Sequence, residues 1–246
     1  MIFRICSLLL LSATLGFAQG MPIIITNAAT ASAEGHELAQ ELLAQWPQSD
    51  TALTGTLIIR DASGQRNELP LQVQTVTTPT NWQTIYTTTT STNPITLRIC
   101  HSSDQPTEYE LDGHPLTGAE LLTPFAGSEF WAIDLGLEFF HWPEQHLLRK
   151  EIHRTRSCRV LESINPAPGT NGYSRVLSWI DRESLGVVDA EAYDAAGKKL
   201  KSFSARDFHK VDGQWQLGRI DMDSEQTEAR SQIKFDPVKS PEGAKD

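Results

Sequence analysis

The part of the chain that most constrains its fold is the stretch after Pro143, where short segments of alternating apolar and polar residues are separated by turn residues. These segments cover residues 146–153, 157–164, 173–180, 187–193, 199–203, 207–211, 215–222 and 228–235. Alternation with a period of two is typical of strands that bury one face. Because turns recur about every ten residues and no helix-length segment intervenes, the pattern predicts an antiparallel sheet without βαβ units.

The N-terminal half predicts one helix followed by more strands. The helix carries an apolar stripe at helical spacing, made of Leu38, Ala39, Leu42, Leu43 and Trp46. Ser32 or a neighbour is suited to cap this helix, and Pro47 is suited to stop it. Strand-like alternation follows at residues 53–59, 69–73, 82–86, 95–99 and 109–111. The short connections between these segments predict an antiparallel meander.

Residues 116–142 are different in character, because they hold the densest aromatic stretch of the chain. Pro124, Gly127, Gly136 and Pro143 break this stretch into short pieces, which favours short helices and loops over strands. Two interpretations remain open. The aromatic residues either fill an ordinary core, or they form a lid over a curved sheet and bury an acyl chain there. The candidate lipid-binding residues are Leu42, Trp46, Trp131, Phe139 and Phe140.

The N-terminus has the three parts of a secretory signal peptide in residues 1–18. Arg4 is the positive start, residues 6–15 are a short apolar core, and small residues precede a cleavage site after Ala18. The apolar core is too short to span a bilayer, which takes roughly 20 residues. We therefore expect a soluble, exported, periplasmic protein. It would have a flexible mature N-terminus at 19–33, a single domain at 34–236 and a disordered tail at 237–246.

The charge of the chain argues against two classes of partner. The formal net charge is -10 at pH 7. An acidic protein is a poor candidate for binding nucleic acid or an anionic membrane surface. We expect a monomer.

Two cysteines remain after the signal peptide, Cys100 and Cys158, and each lies in a strand-like segment. An exported compartment permits disulfide bonds. The sequence favours a disulfide between the two, worth roughly 4 kcal/mol in the chain-entropy model. The alternative is a pair of buried free thiols.

The sequence holds no recognisable catalytic or metal-binding motif. There is no Gly-x-Ser-x-Gly turn, and no cysteine or histidine pair has the spacing of a zinc site. The acidic clusters near residues 181–194 and 221–225 are typical of solvated turns. We therefore expect no enzyme activity, no cofactor and no metal. A hydrolase with an unrecognised triad stays an alternative, because triads are defined by geometry.

The C-terminal half resembles the LolA-like outer membrane lipoprotein-sorting proteins of bacteria. The motifs that carry the resemblance are GSEFWAIDL at 127–135, CRVLE at 158–162, YSRV at 173–176, WID at 179–181, AEAYD at 190–194, GKKLK at 197–201 and DMD at 221–223. The N-terminal half is similar only in its plan of a helix followed by strands.

This resemblance implies a half-open antiparallel β-barrel, or strongly curved sheet, that covers a few short helices and an apolar cavity for acyl chains. It implies a non-catalytic carrier of a lipid or lipoprotein acyl chain in lipoprotein sorting, with an envelope membrane protein as a further candidate partner. The family's lid-locking basic residue has no matching position here. An envelope sensor or interaction protein of the same fold is the alternative.

Overall fold

The structure is a computed structural model that describes residues 21–90, 93–102, 105–170, 172–211 and 214–237. The predicted signal peptide, its cleavage after Ala18 and nearly all of the predicted tail at 237–246 lie outside these residues.

Strands make up most of the described chain. They are β1 (Ile23–Ile24), β2 (Thr51–Arg60), β3 (Arg66–Thr77), β4 (Asn81–Thr89), β5 (Pro94–Ser102), β6 (Glu108–Leu111), β7 (His114–Leu116), β8 (Glu144–His153), β9 (Arg156–Ile164), β10 (Arg175–Asp181), β11 (Val187–Tyr193), β12 (Lys199–Val211), β13 (Gln214–Ser224) and β14 (Arg230–Phe235). The α-helices are α1 (Ala28–Leu43) and the single turn α2 (Ala132–Leu135).

All strands belong to one 14-stranded sheet with the order β1-β8-β9-β10-β11-β12-β13-β14-β2-β3-β4-β5-β6-β7. Every neighbouring pair is antiparallel. β1 and β7 are the two edges and do not pair with each other, so the sheet is curved but not closed into a barrel. The predicted fold class, a mainly β protein with a half-open sheet over a few short helices, is confirmed.

One face of the sheet, here called the inner face, is covered by α1 and by residues 118–141, here called the interior segment. The interior segment consists of α2 and the 3-10 helices Gly118–Leu122, Phe125–Gly127 and Glu138–His141. The predicted replacement of strands by short helices and loops in this region is confirmed.

The core on the inner face has two parts, and the interior segment contributes to both. Phe139 and Phe140 pack with Leu38 of α1 and with side chains of β8 to β12. Phe125 and Phe130 pack with side chains of β2 to β6, β13 and β14. The aromatic stretch therefore joins the two halves of the sheet from inside.

The expectation of a loose segment at residues 19–33 is wrong for most of that segment. Ile23 and Ile24 pair with β8, and α1 begins at Ala28. Asn27 caps the helix, because its side chain accepts a hydrogen bond from the backbone N–H of Thr30 at 3.0 Å. The small residues of 28–33 suggest a loop by composition, but alanine is the best helix former and supports the first turns.

The end of α1 also differs from the prediction. The helix ends at Leu43 with Ala44 as its C-cap, so Trp46 follows the helix and does not belong to its apolar stripe. Pro47 still blocks any continuation of the helix, but the last helical turn closes before it.

The predicted disulfide between Cys100 and Cys158 is not formed. Both cysteines are free. Cys100 lies on β5 and Cys158 on β9, which belong to opposite halves of the sheet. Cys158 is fully buried with Val160 and Trp179 in a small cluster apart from the main core. Strand character alone could not place the two thiols, because it does not tell which strands are neighbours.

The predicted strands at 199–203 and 207–211 form one continuous strand, β12. Asp207, within it, has a φ of 53°, so the chain bends without leaving the sheet. Pairing with β13 resumes on both sides of this residue.

Replacement of Gly35 by alanine should destabilise the protein, although alanine normally favours a helix by up to about 1 kcal/mol. A Cβ at this position of α1 would lie 2.5 Å from the backbone carbonyl oxygen of Gln145 and 2.7 Å from the Cα of His146. Because the strand backbone cannot yield as a side chain can, we expect a net loss of about 1–3 kcal/mol in unfolding free energy.

Urea denaturation of Gly35→Ala measures this loss. Gly169→Ala is the matched control, because an added Cβ there meets nothing within 4 Å. A Gly35→Ala variant as stable as the control would contradict the close contact between α1 and β8.

Candidate functional site

A cleft lies between the sheet, the end of α1 and the interior segment. It has a narrow half of about 680 Å³ and a wide half of about 880 Å³. The two halves share the lining residues Tyr86, Leu135, Leu137, Gly186 and Val187. Because the lining is continuous, the two halves form one cleft. Its size falls in the range of natural ligand-binding sites, about 300–1,000 Å³, or above it.

The narrow half is lined mainly by apolar side chains of the interior segment and of β11 to β13. Phe130, Leu135, Phe203 and Ile220 are among them. At the end of this half, Arg156 donates to a carboxylate oxygen of Asp181 at 2.7 Å, so the two charges neutralise each other.

The wide half opens between the end of α1 and strands β4 and β5. Trp82 and His101 stack there, with ring centroids 4.0 Å apart. The hydroxyl of Thr107 lies 3.4 Å from Nδ1 of His101 and 3.0 Å from Nε2 of His141. Burial, with a smaller effect from His141, lowers the pKa of His101 from 6.5 to about 4. His101 is therefore neutral at physiological pH.

One hydrogen bond crosses the rim of the wide half. The side-chain amide of Gln45, just after α1, donates to the backbone carbonyl of Leu185 at 3.4 Å. Leu185 lies in the turn between β10 and β11 and has a φ of 56°. This long contact joins two elements at the mouth of the cleft and is weak by its geometry.

A buried polar cluster ties the interior segment to the sheet. Nζ of Lys201, on β12, lies 3.6 Å from a carboxylate oxygen of Asp134, and the two side chains are 1% and 8% exposed. The same Nζ donates to the backbone carbonyl of Glu129 at 2.7 Å and lies 3.2 Å from the centre of the Trp131 ring. Tyr173 donates to the other oxygen of Asp134 at 2.8 Å.

Burial shifts the pKa values of this cluster toward the neutral forms. Desolvation lowers the pKa of Lys201 to about 8, against the pull of Asp134 and Glu129. Desolvation likewise raises the pKa of Asp134, while Lys201 opposes that rise. A void of about 20 Å³ lies beside the pair and is lined by Phe139 and Val176, among other side chains. Such a pair is costly to break, because each partner would leave an uncompensated buried charge.

A second contact holds the interior segment on the opposite side. Tyr109 of β6 donates to a carboxylate oxygen of Glu138 at 2.9 Å. Desolvation and the charge of Glu138 raise the pKa of Tyr109. Gly136 lies against the Tyr109 ring, where an added Cβ would come within 2.2 Å of the hydroxyl oxygen. The interior segment is thus fastened to both halves of the sheet and walls the cleft.

The five residues predicted to bind lipid fall into two groups. Leu42, Trp46 and Phe140 line the wide half, and Phe139 lines the small void beside Lys201. Trp131 lines none of the three cavities; it stacks on Tyr173, with ring centroids 5.2 Å apart, and lies under Lys201. Trp131 therefore belongs to the anchor of the interior segment.

Sequence analysis missed the residues at the centre of the cleft. Leu137 and Val187 line all three cavities, and Tyr86, Leu135 and Phe203 each line two of them. Alternation places several of these side chains on a buried face, but it does not separate a filled part of that face from an open one. Leu137 had no periodic signal, since it takes a left-handed conformation with a φ of 51°.

A serine, a histidine and an aspartate do meet in the protein, but not as a catalytic relay. Asp189 lies between the other two: it forms a short contact with Nε2 of His153 and accepts a hydrogen bond from Ser204 at 2.6 Å. In a triad the histidine lies between serine and aspartate, so that it can take the serine proton. Arg154 neutralises Asp189 further, with Nε at 2.8 Å. The arrangement is that of a structural ion-pair network.

Two structural searches of the described part of the chain found no candidates. No three His, Cys, Asp or Glu side chains there lie close enough together to hold a metal ion. None of the described helices has the length and apolar character needed to cross a membrane.

A family model described as "uncharacterized protein" matches residues 114–246, which is more than half of the chain. The chain belongs to this family. The match begins at β7 and covers the interior segment with the strands that follow it, so the family includes both Asp134 and Lys201. None of the curated proteins matches the chain significantly in sequence.

Several solved structures have the same fold at low sequence identity. A domain from Vibrio parahaemolyticus, described as an outer membrane lipoprotein-sorting protein domain, has a TM-score of 0.70 and 18% identity, and the match covers 87% of this chain and 95% of that one. For a DUF1329 family protein from Desulfovibrio piger, the TM-score is 0.68 with 14% identity, and the match covers 87% and 95% of the two chains.

A LolA superfamily protein from Nitrosomonas europaea is similar as well. It has a TM-score of 0.55 and 17% identity, and the match covers 88% of this chain and 96% of that one. The resemblance to the LolA-like proteins is therefore confirmed at the level of the fold, and it extends over the N-terminal half as well.

Replacement of Lys201 by methionine should destabilise the protein strongly. Methionine fills the space of the side chain but leaves Asp134 buried without a cation, and removal of one partner of a buried pair costs about 3–5 kcal/mol. The double variant Lys201→Met/Asp134→Leu should recover part of this loss, because it removes both charges. Urea denaturation measures the difference.

Lys198→Met is the matched control, since Lys198 is exposed in the turn before β12. It should change the unfolding free energy by less than about 0.5 kcal/mol. If Lys201→Met were as mild as the control, the interior segment would not depend on this ion pair.

The stability of the protein should fall as the pH falls from 6.5 to about 4, in part because of His101. In that window the unfolded chain binds a proton at this histidine and the folded protein does not, so protonation favours unfolding. His101→Phe keeps the ring stacked on Trp82 and removes this contribution. The variant's unfolding free energy, measured by denaturation at several pH values, should therefore fall less steeply than that of the wild type.

His114→Phe is the control, because His114 is exposed on β7. Its pH dependence should follow that of the wild type. Parallel curves for all three proteins would show that His101 is not held neutral in the folded state.

Proposed function

We propose that this protein is an exported, periplasmic carrier that holds the acyl chain of a lipid or lipoprotein in its cleft, in lipoprotein sorting to the outer membrane. The observation that carries this proposal is the continuous apolar cleft between the curved sheet and the interior segment, with halves of about 680 and 880 Å³. An acyl chain needs a long apolar space and no reacting groups.

The energetics favour this kind of ligand. Burial of each methylene group contributes about 0.8 kcal/mol, so about ten buried methylenes supply some 8 kcal/mol before the costs of binding. The lining residues Phe130, Leu137, Val187 and Phe203 offer the apolar contacts. The mouth is crossed only by the weak Gln45–Leu185 hydrogen bond among the polar contacts described for these two side groups, so entry requires little energy.

Two further observations support the proposal. The similar domain from Vibrio parahaemolyticus is described by its role in outer membrane lipoprotein sorting. The predicted signal peptide at residues 1–18 would deliver the chain to the compartment where such sorting takes place. A carrier must also pass its ligand on, so we propose an envelope membrane protein as the partner that receives or supplies it.

Purification of the exported protein under mild conditions, followed by native mass spectrometry, should reveal a co-purified lipid. A fluorescent acyl probe should bind the delipidated protein. Val187→Trp should weaken probe binding by at least about tenfold, because the indole would fill the junction of the two halves.

Ile152→Trp is the matched control, because Ile152 is 51% exposed on β8 and lines none of the three cavities. It should bind the probe like the wild type, and circular dichroism should show both variants folded. Absence of any co-purified lipid together with absence of probe binding would rule out the carrier and favour a sensor or interaction protein of the same fold.

A further inference from the structure

We propose that the cleft selects lipids whose head is uncharged and rich in hydroxyl or amide groups, and rejects phosphate and carboxylate heads. This inference rests on the proposed function, since it specifies which acyl ligands the same cleft accepts. It follows from the distribution of charge along the cleft.

The wide half is unusual in a protein of which 21% of the residues are charged. Among the described residues that line it, none is Asp, Glu, Lys or Arg. Its polar groups are instead amides, hydroxyls and imidazoles, and those near the mouth include Gln40, Gln45, Thr84, Gln105 and Thr107. These groups donate and accept hydrogen bonds but carry no charge.

The two histidines of the wide half do not supply a cation either. Both lie within hydrogen-bond reach of the single hydroxyl of Thr107, which can donate to one imidazole nitrogen and accept from the other. Burial keeps His101 neutral by lowering its pKa to about 4. Partial burial also lowers the pKa of His141, the more exposed of the two.

The cations of the narrow half are already paired. Lys201 is held by Asp134 at 3.6 Å, and Arg156 by Asp181 at 2.7 Å. A phosphate or carboxylate could use either cation only by leaving a buried or half-buried aspartate unpaired. Glu183, which is exposed at the edge of this half, would repel such a head.

The physical consequence is a difference in desolvation. An anionic head would lose its water without gaining a cation, which is unfavourable in a site of low polarity. A hydroxyl- or amide-bearing head would exchange its water for the glutamine, threonine and histidine groups of the mouth. Specificity of this kind comes from the missing compensation for the wrong ligand as well as from contacts to the right one.

Competition between ligands that share one acyl chain tests the proposal. Monopalmitoylglycerol, palmitate and palmitoyl lysophosphatidic acid would displace a neutral naphthylamine dye from the delipidated full-length mature protein at neutral pH. We expect the neutral glyceride to bind at least about tenfold more tightly than either anion. Binding of all three with equal affinity would overturn the head-group selection and leave the carrier function standing. If none of the three bound, the carrier function itself would fail.

A charge introduced at the mouth provides a second test. Gln105→Lys places a cation at an exposed position on the lining of the wide half. It should improve the binding of palmitate and lysophosphatidic acid by about tenfold and leave the glyceride nearly unchanged. Gln65→Lys adds the same charge in the exposed turn between β2 and β3 and should leave all three affinities unchanged. Equal gains in the two variants would show that net charge alone, and not the mouth of the cleft, controls the selection.

Discussion

The ion pair between Lys201 and Asp134 is the contact on which the interior of this protein depends. Lys201 extends from β12 beneath the Trp131 ring, and Asp134 lies in α2 of the interior segment. Each charge is buried where it could not remain without the other, so the segment has one favourable position against the sheet. The Tyr109–Glu138 hydrogen bond fastens the same segment to β6 at 2.9 Å. Between these two contacts the segment spans the open side of the sheet.

The interior segment acts both as core and as wall of a cleft. Phe125, Phe130, Phe139 and Phe140 are each at most 4% exposed, so they fill the space between segment and sheet. Beside them the space stays open, because Leu135 and Leu137 face the cleft. The two interpretations that the aromatic stretch left open at the sequence level are therefore both partly right. A sheet that does not close into a barrel needs such a segment, since its inner face would otherwise be exposed to water.

Local patterns predicted the elements well, and their errors have local reasons. The apolar stripe around Leu38 located α1, but the small residues before it concealed the cap at Asn27 and the first helical turns. Trp46 had the right spacing for the stripe and yet lies beyond the end of the helix, at the rim of the cleft. Cys100 and Cys158 were each placed correctly in strands, but the strands are far apart in the sheet. A pairing between distant residues needs the order of the strands, which alternation does not contain.

The sequence by itself determined the antiparallel sheet, the single long helix and the irregular aromatic stretch. These depend on periodicity, on turn residues and on proline and glycine, which act within a few residues of the chain. Only the tertiary structure decided that Trp131 anchors the interior segment, that Val187 and Leu137 lie at the centre of the cleft, and that the mouth is uncharged among its described residues. These features arise where the curved sheet brings β4, β5, β11 and β12 around the interior segment. Contacts between residues so distant in sequence depend on the strand order and the curvature, and no local pattern encodes either.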